Sequence, residues 1–172
     1  MTVYIGLLRA VNVGGTGKLP MAELRAICNA AGFSKVQTYI ASGNVVFHSA
    51  MSATHVKSCL EESLKSYFKK QVGVVIRTAD ELSAVLQANP FKKAAPSRIV
   101  ALFLDDLPSV DALKHAVGQN NEELRLGARE IYVHYVDGIG RSKLKIPAAS
   151  GGTARNMNTV AKLVAIASET KD

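Results

Sequence analysis

Residues 9–18 carry the first group of side chains that could bind an anion. They follow a β-branched run and read Arg-Ala-Val-Asn-Val-Gly-Gly-Thr-Gly-Lys. Successive glycine amides can form a nest around phosphate, which a lysine and a helix N-terminus strengthen. The Walker pattern is excluded, because Asn12 stands at its first glycine and Leu19 at its hydroxyl position. The segment predicts either an anion cradle or a flexible connection.

Residues 42–44, Ser-Gly-Asn, lie between two predicted strands. All three residue types favour tight turns, so one interpretation is a hairpin turn. In the other interpretation, the Ser42 hydroxyl and the Asn44 amide supply neutral hydrogen bonds at the rim of a site. No general base is recognisable beside Ser42, so the segment does not predict a nucleophile.

Residues 153–159, Thr-Ala-Arg-Asn-Met-Asn-Thr, are predicted to open the last helix. Thr153 or Asn156 can cap that helix, and its N-terminus has free amides and a positive dipole end. Arg155 adds a planar fork suited to carboxylate or phosphate. Capping explains one of these polar residues, so their density favours an anion site.

The charge balance agrees with an anionic partner. The 172 residues include 21 Lys or Arg and 14 Asp or Glu, a net charge of +7. Residues 1–77 hold nine of the basic residues against three glutamates. A basic excess attracts phosphorylated metabolites, nucleic acid or acidic proteins, although it is also common on soluble proteins of no such function.

Composition excludes several other classes of protein. The hydrophobic content of 48% is too high for a disordered chain. No apolar run approaches the roughly 18–20 residues of a membrane helix, so no membrane partner is expected. The chain enters a strand at once, without the pattern of a signal peptide, so we expect a cytoplasmic protein.

Neither metal nor cofactor is predicted. Cys28 and Cys59 lack metal-ligand spacing, and each falls on the apolar stripe of a predicted helix, where a free cysteine packs as a small hydrophobe. The four histidines show no paired spacing.

Hydrophobic periodicity predicts the elements that must position these segments. Residues 1–77 show the order β-α-β-β-α-β of the ferredoxin-like split unit. Residues 78–172 begin with a helix and continue as β-α-β-β-α, with helices near 110–117 and 156–167, and lack a final strand. We predict an α+β fold of two ferredoxin-like units in tandem, 1–77 and 78–172, with antiparallel sheets and helices on one face.

Ferredoxin-like sheets also bind RNA, and the sequence supports this function only weakly. Residues 3–8 fit the first strand motif of RNA-recognition domains superficially. Residues 42–49 match the second motif only at Gly43, so the aromatic stacking platform is missing. Nucleic acid is therefore a minor candidate partner.

Three segments together resemble a known bacterial family. They are residues 4–15 (YIGLLRAVNVGG), 38–47 (TYIASGNVVF) and 153–160 (TARNMNTV). Their order and wording are similar to domain-of-unknown-function family 1697. The resemblance covers nearly the whole chain and implies a tandem ferredoxin-like architecture with no established activity.

The chain departs from this family at two motif positions. The family usually has Gly where this chain has Ala10, and Trp where it has Met157. If that Trp stacks on a ligand, Met157 would weaken the contact with the ligand. If it only packs, Met157 would fill the space. The segment after residues 142–144 is also shorter than the family leads us to expect.

Our leading hypothesis is that the polar segments converge on one basic, Asn-rich cleft between the two units, which binds a small anionic or phosphorylated ligand. The residues expected to supply charge or fix the ligand's orientation are Arg9, Asn12, Lys18, Ser42, Asn44, Lys143, Arg155, Asn156 and Asn158.

Two alternatives remain open at the level of sequence. By analogy of fold with acylphosphatases, an Arg could polarise a phosphoryl group and an Asn could position water, giving a phosphoryl or acyl hydrolase that needs no metal. The basic first half would also suit an adaptor for nucleic acid or protein. No catalytic residue or oligomeric state is predicted.

Overall fold

The first half of the chain forms a four-stranded antiparallel sheet with two helices. In the computed structural model, which describes residues 1–12 and 18–171, the strands lie in the order β2-β3-β1-β4. The elements are β1 (Thr2–Leu8), α1 (Met21–Ala30), β2 (Ser34–Thr38), β3 (Asn44–Ser49), α2 (Ala53–Phe68) and β4 (Val74–Thr78). This is the predicted split unit.

Helix α2 shows why these segments fold as they do. Val56, Leu60 and Leu64 recur every four residues and are buried, so they form one apolar stripe. Ser52 caps the helix by accepting a hydrogen bond from the His55 amide at 3.3 Å. Each buried leucine contributes about 1.5–3 kcal/mol. The stripe shares a core with alternate strand residues Tyr4, Leu8, Val45, Phe47, Val74 and Ile76.

The second half repeats the strand order. Its sheet is β6-β7-β5-β8, again with antiparallel neighbours. The elements are α3 (Ala79–Gln87), β5 (Ile99–Phe103), β6 (Glu123–Leu126), β7 (Glu130–His134), β8 (Thr153–Asn156) and α4 (Met157–Glu169). Two antiparallel sheets with four α-helices, counted over the described residues, confirm the predicted α+β fold.

Two sequence predictions in this half are wrong. The final strand is present, because β8 pairs with β5. Its short polar sequence resembles a helix cap. In the structure the buried Thr153 and Arg155 alternate with a more exposed neighbour, as in a strand. The helix expected near 110–117 is only a short 3₁₀ turn, Ala112–His115. Ala116 already has an extended backbone, and Gly118 has a φ of +72°, so the helical turn ends there.

The chain divides into two compact units. The first consists of residues 1–82 with 162–172, and the second of residues 83–161. Sequence periodicity had placed the division after residue 77. No helix within residues 1–12 and 18–171 has the length and apolar character needed to span a membrane.

The two cysteines lie in different surroundings. Cys28 is completely buried in the core of the first unit, whereas Cys59 is half-buried. Burial, with a smaller contribution from the neighbouring Cys59, raises the pKa of Cys28 to about 12. Cys28 is therefore a protonated, shielded thiol at neutral pH.

We expect one fast-reacting thiol in the native protein. At pH 8 a disulfide reagent should modify Cys59, while Cys28 should react only after unfolding in denaturant, because attack requires an exposed thiolate. Stopped-flow absorbance measures both phases, and Cys59→Ser is the control that should remove the fast one. Rapid modification of Cys28 in the native state would contradict this placement.

Candidate functional site

The side chain of Asn12 links two of the polar segments identified in the sequence through hydrogen bonds. Its Nδ2 donates to the backbone oxygens of Leu19, at 2.9 Å, and Ala41, at 2.7 Å. Its Oδ1 accepts from the Leu19 amide at 2.6 Å. Asn12 has a φ of +55°, a conformation that Asn tolerates better than most residues. The segment after β1 is thus fastened to the turn between β2 and β3.

The turn of residues 39–44 packs directly on the end of β1. The Leu8 amide donates to the Gly43 oxygen at 2.8 Å. Gly43 has a φ of +89°, and a Cβ there would lie 2.6 Å from Val11 Cγ2 and 2.9 Å from Leu8 Cβ. Only glycine fits, both for its φ and for this close approach.

Asn44 holds the same turn from inside. It is fully buried, and its Nδ2 donates to the Tyr39 oxygen at 2.9 Å and to Ser42 Oγ at 3.0 Å. The Tyr39 amide donates back to the Asn44 oxygen at 3.0 Å. These contacts match the turn interpretation of residues 42–44.

The charged and hydroxyl side chains at this end of the sheet are exposed. Arg9, Lys18 and Ser42 all face solvent, and the Arg9 amide is anchored to the Gly73 oxygen at 2.9 Å. Five of the nine expected residues therefore lie on segments that meet at one end of the first sheet. They are Arg9, Asn12, Lys18, Ser42 and Asn44. The glycine-rich residues 13–17, proposed as an anion cradle, lie outside the described residues.

Arg155 lies within the second sheet, not on the last helix. It is 7% exposed, and its Nη1 donates to Thr153 Oγ1 at 2.7 Å and to the Ala154 oxygen at 2.8 Å. Burial lowers the pKa of Arg155 to about 10, so the guanidinium remains charged at neutral pH.

Arg77 occupies the equivalent position of the first sheet, and sequence analysis did not identify it. It lies on β4 opposite Ile5 of β1, as Arg155 lies on β8 opposite Ala101 of β5. Arg77 is 1% exposed and also donates to the preceding carbonyl, that of Ile76, at 3.0 Å. The two units therefore share a buried arginine on the fourth strand, a likeness visible only after the strands are aligned.

The residues after Arg155 have separate local roles. Asn156 Oδ1 accepts from the Thr159 amide at 3.0 Å, which caps α4 as expected. Asn158 is exposed on the first turn of that helix. Met157 is 2% exposed and packs in the interior.

Lys143 belongs to a different part of the second unit. It is exposed and lines a cleft of about 400 Å³ between the turn before β6 and the turn after β7. Asn156 and Asn158 lie elsewhere, at the end of β8 and the start of α4. Arg141 and Ser142, next to the expected Lys143 in sequence, also line this cleft. Glu122, Tyr135 and Asp137 complete its charged and hydroxyl groups, and no local motif indicates these three, because the turns that carry them are distant in sequence from residues 141–143.

Comparisons with known proteins agree with the family resemblance, and the matched range includes the motifs at residues 4–15 and 38–47. A family model described as "Protein of unknown function (DUF1697)" matches residues 1–132. No curated protein matches the chain. Among solved structures the chain is similar to conserved bacterial protein SP0830 from Streptococcus pneumoniae, with a TM-score of 0.80 and 27% identity over 96% of this chain and 98% of that chain.

The close packing at Gly43 should be visible in stability. Gly43→Ala should lower the free energy of unfolding by about 2–4 kcal/mol, because it adds a steric clash to backbone strain. Gly32→Ala is the matched control, since Gly32 has a φ of +91° but no atom within 4 Å of the added methyl; it should cost about 1 kcal/mol. Urea unfolding measures both, and equal losses would contradict the packing described.

Proposed function

The chain belongs to the DUF1697 family of proteins of unknown function, and from its first unit we propose that it binds a small anionic or phosphorylated ligand. The ligand would contact Arg9, Lys18 and Ser42 at the end of the first sheet. A guanidinium, an ammonium and a hydroxyl are the donors with which proteins hold phosphate and carboxylate oxygens.

The observation that carries the proposal is the set of hydrogen bonds made by Asn12. Through Leu19 they fix the backbone next to Lys18, and through Ala41 they fix the backbone next to Ser42. The Leu8–Gly43 bond does the same beside Arg9. The backbone that carries the three donor side chains is thus already hydrogen-bonded in place before a ligand binds. This reduces the entropy lost on binding.

Local charge supports an anion over a cation. Residues 9–20 and 39–44 contain two basic residues and no Asp or Glu. An anion at this end of the sheet would meet no carboxylate from either segment. Because both cations are exposed, their attraction is screened by water and salt, so the proposed binding is weak and salt-dependent.

The structure favours binding over hydrolysis as the proposed function. A hydrolase of the acylphosphatase type would need an amide side chain to position water. The amides of Asn12 and Asn44 instead donate to backbone oxygens within the first unit. Reorienting either one would break the turn, so we infer that these two residues are structural and that the ligand is bound unchanged.

Binding of inorganic phosphate and pyrophosphate tests the proposal. Isothermal titration should detect binding to the wild type that weakens as salt is raised from about 0.05 M to about 0.2 M. Arg9→Ala and Lys18→Ala should each weaken it about tenfold, which corresponds to about 1.4 kcal/mol.

Lys35→Asn is the matched control for charge. Lys35 lies on β2 next to Ser34, whose partner His48 is at the opposite end of the first sheet. It has a φ of +50°, a conformation that Asn accepts. This variant should keep wild-type affinity. Equal weakening in all three variants would indicate a general effect of net charge, and no binding to the wild type would refute the proposal.

A further inference from the structure

We propose that the cleft of about 400 Å³ in the second unit binds a zwitterionic ligand of the α-amino-acid class. The site lies in another unit from the proposed anion site and takes another ligand, so the two proposals stand or fall separately. The inference rests on a buried carboxylate, an unpartnered hydroxyl and two cations that all line one rigid cleft.

Glu122 supplies the negative side of the cleft. The residue is 7% exposed; its Oε2 accepts from the Asn120 amide at 2.7 Å and its Oε1 from the Ser142 hydroxyl at 2.8 Å. These bonds, with the Asn120 amide first, lower the pKa of Glu122, so it is a carboxylate at neutral pH. The Glu122 backbone amide adds a third, smaller contribution in the same direction. A carboxylate has about four acceptor positions, so one is left for an ammonium group.

Tyr135 places a hydroxyl at the same cleft. Its ring belongs to the core of the second unit and is 8% exposed. Among the residues that the structure describes, its hydroxyl has no hydrogen-bond partner, and it is open to the cleft, where a ligand can reach it. Burial, and then the charge of Glu122, raise the pKa of Tyr135, so the group remains a phenol able to donate and to accept.

Arg141 and Lys143 supply the positive side. Both are exposed and line the cleft, with Ser142 between them donating to Glu122. Asp137, a second carboxylate of the lining, accepts from Asn121 Nδ2 at 2.5 Å. The cleft is therefore lined by two cations and two carboxylates. A simple anion would be repelled by the carboxylates, and a simple cation by the arginine and the lysine. A ligand that carries both charges satisfies both sides.

The walls of the cleft are rigid. Val117 and Lys145 exchange two backbone hydrogen bonds of 2.9 Å and 2.8 Å. Gly118 has a φ of +72°, and a Cβ there would lie 2.1 Å from the Lys143 oxygen, so the two segments approach as closely as a backbone allows. Gln119 Nε2 also donates to the backbone oxygen of Glu122 at 2.7 Å. A site held this way needs little ordering when a ligand binds.

Titration with single amino acids and with their separate halves tests the proposal. Glycine, leucine, glutamate and lysine serve as zwitterions, acetate as the carboxylate alone and methylamine as the ammonium alone. In titrations followed by amide chemical shifts, we expect at least one amino acid to bind at least tenfold more tightly than acetate or methylamine. Equal binding of acetate would show a simple anion site and overturn the proposal, as would no binding of any amino acid.

Matched variants locate the ligand. Tyr135→Phe keeps the core ring and removes only the hydroxyl, and it should weaken amino-acid binding about five- to tenfold. Arg141→Ala should weaken it by a similar factor. The controls Tyr67→Phe and Lys145→Ala remove an exposed hydroxyl and an exposed cation outside the lining, and they should bind as the wild type does. Unchanged affinity in Tyr135→Phe, with unfolding behaviour preserved, would overturn the proposal.

Discussion

The Asn12 side chain joins Leu19, on the far side of residues 13–17, to Ala41 in the turn between β2 and β3. This clamp uses both N–H donors of the amide and one acceptor position of its oxygen, and it operates at a positive φ that few residues accept. The proposed anion site depends on it, because the clamp fixes the backbone next to Lys18 and next to Ser42 relative to the end of β1. Asn12 and Asn44 therefore act in the fold, and the proposed ligand contacts are those of the exposed side chains on the segments that they hold.

The two sheets have the same strand order, but different elements pack on them. In the first, α1 and α2 pack on one face of the sheet, and the core contains a stacked pair, Phe33 and Phe47, with ring centroids 4.3 Å apart. In the second, the corresponding face packs against the turn Ala112–His115 and the segment around Leu144. Short irregular segments cover a sheet less completely than a long helix does and leave concave surface between them. This explains why the polar cleft occurs in the second unit.

Much of the fold could be predicted from sequence because it rests on local periodicity. The stripe of α2 and the continuous apolar run of β1 are both explicit in the chain. Strand β8 was missed because four residues give too short a pattern to separate a strand from a helix cap. Of the cleft, only the polar residues 141–143 could be recognised from sequence. Glu122 and Ser142 meet across twenty residues, and only the pairing of β6 with β7 brings Tyr135 beside them. The ligand-binding roles expected for Lys143, Arg155, Asn156 and Asn158 stay predictions.

Hydrogen exchange at the Leu19 amide tests the clamp most directly, since that amide donates to Asn12 Oδ1. In the wild type the amide should be protected from exchange, and in Asn12→Gly, which keeps the positive φ without strain, it should exchange at least tenfold faster. The Leu8 amide, bonded to Gly43, serves as the internal reference and should keep its protection in both proteins. A Leu19 amide that is unprotected in the wild type, or equally protected in the variant, would contradict the account.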